Sequence, residues 1–172
     1  TEGNNWDYVA LQARLNATTE YKDAFSGPQW NFTKVYIKKE LFYYNDPCYP
    51  EHWVGINCEN LNSTMHISKL VLPGALSGTL PNTISSLSYL TYIDLSHNNM
   101  TSTIPKMLRY LKLLQYIDLS MNHLVGPIDG LFKSSTLSKL EYINFSNNKL
   151  TGSLPDISSI ADTNVLAIKV LN

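Results

Sequence analysis

Leu90-Thr-Tyr-Ile93-Asp-Leu95-Ser-His-Asn98 returns as Leu114-Gln-Tyr-Ile117-Asp-Leu119-Ser-Met-Asn122, and again as Leu140-Glu-Tyr-Ile143-Asn-Phe145-Ser-Asn-Asn148. The first step is 24 residues and the second is 26, the surplus falling in the polar stretch Lys133-Ser134-Ser135-Thr136. A degenerate earlier copy reads Ile67-Ser-Lys-Leu70-Val-Leu72, with Ala75 at the Asn position. A last partial copy, Val165-Leu-Ala-Ile168-Lys-Val170, stops before its own Asn. Repeats of this length that cannot bury an apolar face alone must stack into one continuous core.

The spacing says how each copy folds. Apolar residues at the fourth and sixth places alternate with polar ones, which is the period of a short strand with one buried face. The Asn three residues later starts a turn, and inside a coil its amide can serve otherwise orphaned backbone groups. A second apolar block follows each Asn: Met100 and Ile104, Leu124 and Ile128, Leu150 and Leu154. A third, Leu108 and Leu111 in the first full copy, leads back to the next strand. Each coil therefore has three sides around a shared interior. Leucine usage follows the same division, with 21 of 24 lying after residue 60.

Composition narrows the function. Thirteen Lys and Arg against fourteen Asp and Glu leave a net charge of −1, which argues against nucleic acid or an anionic membrane as the main partner. No apolar run approaches the roughly 18 residues of a spanning helix. Cys48 and Cys58 lie ten residues apart in a turn-rich stretch, a separation compatible with one local bridge. Five sequons, at Asn16, Asn31, Asn62, Asn99 and Asn144, favour a secreted or cell-surface protein.

The pattern resembles the plant-type leucine-rich repeat, L-x-x-L-x-L-x-x-N-x-L-x-G-x-I-P. Its best matches are Leu70 to Pro81, with Gly78, and Leu140 to Pro155, with Gly152. Ser102 replaces the Gly in one copy, and Asp129 replaces the Pro in another. Upstream, Asp7-Tyr-Val-Ala10-Leu11, Trp30-Asn31, Asp46-Pro47-Cys48 and Trp53-Val-Gly55-Ile56-Asn-Cys58 resemble the amino-terminal cap of plant receptor ectodomains. The resemblance covers residues 6 to 31 and 45 to 170. It implies an α/β repeat fold, a short right-handed solenoid with parallel strands on its concave face and a helical N-terminal cap. It also implies a Cys48–Cys58 disulfide pinning that cap, worth roughly 2–3 kcal/mol by loop entropy. Asp7 is a good N-cap for a helix from Tyr8 to about Ala17, with Tyr8, Leu11 and Leu15 on one face.

The expected organisation is a cap over residues 1–64 and about four repeats plus a partial copy over residues 65–172. Residues 32–44, rich in aromatics, are an insertion without counterpart in the family pattern. Val35 and Ile37 alternate with Tyr36 and Lys38, so the insertion is either an edge strand inviting another chain or a thickening of the cap. Asn98, Asn122 and Asn148 are expected to form an internal ladder.

No catalytic motif is present, and no cofactor or metal is expected. His52, His66, His97 and His123 share no repeat column, and Asp94 over Asp118 is the ordinary wording of the repeat. Tyr92, Tyr116 and Tyr142, each preceding an inward Ile, form a column on the exposed strand face. Thr91, Gln115 and Glu141 flank it on one side, with Asp94, Asp118 and Asn144 on the other. Such a strip suits an interface, though shielding of the strands explains it equally well. Two functions fit. One is a recognition module, as in receptor kinases, receptor-like proteins or polygalacturonase-inhibiting proteins, binding a protein, peptide or glycan. The other is a structural glycoprotein whose repeats pack against other copies. With no ladder Asn in register after Val170, the carboxyl end is expected to continue past Asn172 or to meet another molecule, and in the second case a homo-oligomer or filament follows.

Overall fold

The structure, a computed structural model, describes residues 30–32, 48, 55–74, 76–131, 137–152 and 167–169. Its main element is a six-stranded sheet. Strands β2 (Ile56–Leu61) and β3 (Thr64–Val71) form an antiparallel hairpin, and β5 (Tyr92–Asp94), β7 (Tyr116–Asp118), β9 (Tyr142–Asn144) and β11 (Ala167–Lys169) follow in parallel. Strand β1 (Trp30–Phe32) pairs antiparallel with β4 (Leu76–Thr79), which pairs parallel with β6 (Asn99–Thr101). On that side of the coil β8 (Val125–Pro127) also pairs with β10 (Lys149–Thr151).

Register keeps the repeat in phase. Leu70, Ile93, Ile117, Ile143 and Ile168 stand opposite one another along the sheet, and the first four are buried. Leu72, Leu95, Leu119 and Phe145 form a second buried row, two residues on. The interior is completed by Leu76, Met100 and Leu124, then Leu80, Ile104 and Ile128, and by the return-side residues Ile84, Leu87, Leu108 and Leu111. Each such side chain contributes roughly 1.5–3 kcal/mol by leaving water.

Local chemistry fixes the corners. Strands β5, β7 and β9 are three residues long, and each ends in an Asp or Asn whose side chain accepts from the backbone two residues on. Ser96 N donates to Asp94 Oδ1 at 3.0 Å, and Ser120 N donates to Asp118 Oδ1 at 2.9 Å. These are Asx turns. The return side is a short 3-10 turn at Asn82–Ser86 and again at Lys106–Tyr110. Pro81 and Pro105 precede them with φ of −76° and −64°, the value the ring imposes, at a position where no backbone donor is required. Asp129 stands where the third copy would have its Pro, and residues 129–131 make only a turn.

The Asn ladder is inside, as expected. Asn122 is buried; its Oδ1 accepts from Met100 N at 2.9 Å, and its Nδ2 donates to Leu95 O, Leu119 O and Ser120 O. Asn98 does the same between Leu76 N and the carbonyls of Leu72, Leu95 and Ser96, and Asn148 between Leu124 N and those of Leu119, Phe145 and Ser146. Each amide therefore joins its own coil to the one before. The residue ahead of each ladder Asn is left-handed: His97, Met121 and Asn147 have φ of 54°, 54° and 56°.

The hairpin turns through Asn62 and Ser63, at φ 52° and 65°, so it straddles the expected boundary at residue 64. The Cys48–Cys58 disulfide is formed, with Cα atoms 5.7 Å apart and Cys48 buried in the core. The expected helix at Tyr8 to Ala17 and the aromatic segment 33–44 lie outside the described residues. The last partial copy does form a strand, because Ala167, Ile168 and Lys169 continue the register of Tyr142, Ile143 and Asn144.

Candidate binding face

Residues before and after the inward Ile of each strand point away from the core. On the six-stranded sheet this produces two parallel rows. Lys69, Tyr92, Tyr116 and Tyr142 stand opposite one another in the first, and Val71, Asp94, Asp118 and Asn144 in the second.

The tyrosine rings form one continuous stack. Tyr92 and Tyr116 lie 4.0 Å apart between centroids at an interplanar angle of 5°, and Tyr116 and Tyr142 lie 4.3 Å apart at 3°. Strand spacing imposes this separation, since neighbouring parallel strands sit about 4.8 Å apart. Lys69 Nζ approaches the Tyr92 ring to 5.9 Å, a cation–π contact at the head of the column. All three tyrosines are half-buried, because each ring covers the faces of its neighbours. What remains available is a strip of ring edges and hydroxyls. Burial, followed by a hydrogen bond shared with Tyr92, pushes the Tyr116 phenol well above the ordinary tyrosine range. Asp118 and the flanking tyrosines act in the same direction.

The second row is committed to the fold. Asp118 is only 8% exposed, which corrects the expectation that it lies open on the face. Its Oδ1 accepts from Ser120 N and from Ser120 Oγ at 2.6 Å, and its Oδ2 accepts from Asn144 Nδ2 at 2.9 Å. Asn144 Oδ1 in turn accepts from Ser146 Oγ at 2.8 Å. The repeat wording Asp-Leu-Ser hides this, because a carboxylate next to a hydroxyl two residues on reads as surface until their bond is seen. Thr91, Gln115 and Glu141 line the other side of the tyrosines, linked through Gln115 N to Thr91 O and Glu141 N to Gln115 O.

Lys69 was missed as part of this face. Its signal was available, since it stands one repeat before Tyr92 in the degenerate copy. The histidines do not converge: among the described residues no group of three His, Cys, Asp or Glu side chains could hold a metal ion. His52 lies outside the described residues, and the His66 ring packs on Tyr89 at 3.8 Å. Asn62 is exposed at the hairpin turn and Asn99 is exposed on β6, while Asn16 lies outside the described residues.

Comparison with known proteins agrees with this geometry. Residues 69–124 match a family model for the leucine rich repeat, and residues 139–159 match a second one. A 55-residue stretch is 36% identical to a nodulation receptor kinase of Pisum sativum, spanning 31% of this chain and 6% of the kinase. The ectodomain of the receptor kinase SOBIR1 from Arabidopsis thaliana superposes with a TM-score of 0.59 at 29% identity, over 73% of this chain and 71% of that one. A chain of the BIR3–SERK2 complex from Arabidopsis thaliana gives 0.59 at 25% identity, over 96% and 81%.

Proposed function

We propose, from the premise that this chain is a leucine-rich repeat solenoid resembling plant receptor ectodomains, that it is an extracellular recognition module binding a protein or peptide partner through its tyrosine column. The observation that carries the reading is the stack of Tyr92, Tyr116 and Tyr142 headed by Lys69. Stacked rings on adjacent strands lose little entropy on binding, because their rotamers are already fixed by one another. Tyrosine also supplies apolar edge and hydroxyl together, the combination that interface hot spots favour. The resemblance to one chain of the BIR3–SERK2 complex supports a protein partner.

The row beside the tyrosines is engaged within the protein, Asp94 by Ser96 and Asp118 by Ser120 and Asn144, which leaves the rings as the recognition surface. No helix among the described residues is long and apolar enough to cross a membrane.

The test is to recover the partner from the extracellular fluid of the source tissue on the immobilised native protein, then measure its affinity for variants. Tyr92→Ser, Tyr116→Ser and Tyr142→Ser should each weaken binding about tenfold or more. Met107→Ser, on the 3-10 return side, should leave it unchanged. Affinity insensitive to all three tyrosines in folded protein would overturn the reading.

A further inference from the structure

We infer that the second sheet and the hairpin turn carry N-linked glycans, at Asn31, Asn99 and Asn62, and that Asn144 is a sequon the protein keeps bare. The inference rests on the extracellular reading above and adds to it the orientation of the molecule toward its partner.

Register supplies the first argument. Asn31 of β1 stands opposite Ser77 of β4, and Ser77 stands opposite Asn99 of β6. Two sequons thus share one row two strand spacings apart, about 10 Å. On β6 the alternation is clear: Met100 is buried, while Asn99 and Thr101 are exposed. The third sequon, Asn62, occupies an exposed two-residue turn, where a large polar substituent meets only solvent.

Asn144 differs in every respect. Its Nδ2 donates to Asp118 Oδ2, its Oδ1 accepts from the backbone and hydroxyl of Ser146, and the middle residue of the sequon, Phe145, is in the core. Ser146, the hydroxyl residue of the sequon, is spent on that same amide. A sugar on Nδ2 would have to stand between the Asp118 and Asn144 positions beside the tyrosine stack. It would break the tie between two coils and cover the proposed binding face.

The modification is a group transfer. A lipid-diphosphate-linked oligosaccharide is the donor; its C1–O(phosphate) bond breaks as C1 bonds to Asn Nδ2. The Nδ2 proton is lost, and the lipid diphosphate leaves. Among the described residues, the resulting distribution places sugar on one flank and at one turn, and leaves the six-stranded sheet open.

The experiment uses two preparations of the full chain: native protein from its source, and the same chain directed through a eukaryotic secretory pathway by an added leader. Peptide mapping after enzymatic deglycosylation should find sugar at Asn31, Asn62 and Asn99 in both and none at Asn144. Asn62→Gln and Asn99→Gln should each remove one mobility step on a gel. Ser146→Ala, which deletes the sequon and keeps the Asn144 amide, should remove none. Occupied Asn144 in folded secreted protein, or bare Asn99 in the leader-directed chain, would overturn the inference. A patterned leader-directed chain beside a bare native one would instead overturn the extracellular reading, and these glycans with it.

Discussion

The side-chain amide of Asn144 donates to Asp118 Oδ2 over 2.9 Å, across the gap between neighbouring coils. With Ser120 on the other oxygen, the Asp118 carboxylate is spent within the protein. The row beside the tyrosines therefore holds coils together and leaves recognition to the rings.

Asn144→Asp replaces that donor with a second carboxylate. Loss of a hydrogen bond to a charged acceptor costs about 2 kcal/mol, and like-charge repulsion adds to it. Urea unfolding of the variant should show the loss at neutral pH.

Asn122→Ala leaves Met100 N without its side-chain acceptor inside the core, while Leu95 O and Leu119 O each lose one of two side-chain donors and keep Asn98 Nδ2 and Asn148 Nδ2. A buried donor left unpaired costs about 1–3 kcal/mol, so a loss of about 2 kcal/mol is expected. Asn98→Ala should cost less, since Asn98 is only partly buried. Chemical denaturation of both variants checks the order.

Ser102 has φ 76°, in the column where Gly78, Gly126 and Gly152 have φ of 94°, 85° and 94°. A side chain in that region costs roughly 1–2 kcal/mol. Ser102→Gly should therefore stabilise the protein by about 1 kcal/mol, after the flexibility glycine restores to the unfolded chain. Gly126→Ala should do the reverse, because its new methyl would meet Thr103 Cγ2 at 2.8 Å. Thermal unfolding should separate the pair in opposite directions.

The phenol of Tyr116 is held protonated by burial and by Tyr92. Its folded pKa lies above the unfolded value of about 10, so the folded state keeps a proton that the unfolded state releases. That contribution is complete below about pH 10 and is lost as pH rises further. Tyr116→Phe should make alkaline unfolding less steep.

The sequence carried most of this fold because its repeat is worded by packing. An Ile or Leu in register on adjacent strands, and an Asn serving two coils, leave a period that no single coil explains. Asp118 was less legible: its burial comes from Ser120 and from Asn144, 26 residues away, and a local pattern shows only a polar strand end. The antiparallel pairing of Trp30–Phe32 with Leu76–Thr79 was not legible either, since a cap strand joined to the first coil has no period to repeat. Ser102 shows the converse. Its departure from the repeat was visible, but the chain absorbs it as backbone strain and keeps the register.

Tyrosine nitration of the free and partner-bound protein tests the recognition face most directly. Tyr110, exposed on the return side, serves as the internal reference. Tyr116, whose phenol is held protonated, should react little in either state, while partner binding should protect Tyr92 and Tyr142 and leave Tyr110 as reactive as before. Protection of Tyr110 with an unchanged column would contradict the account.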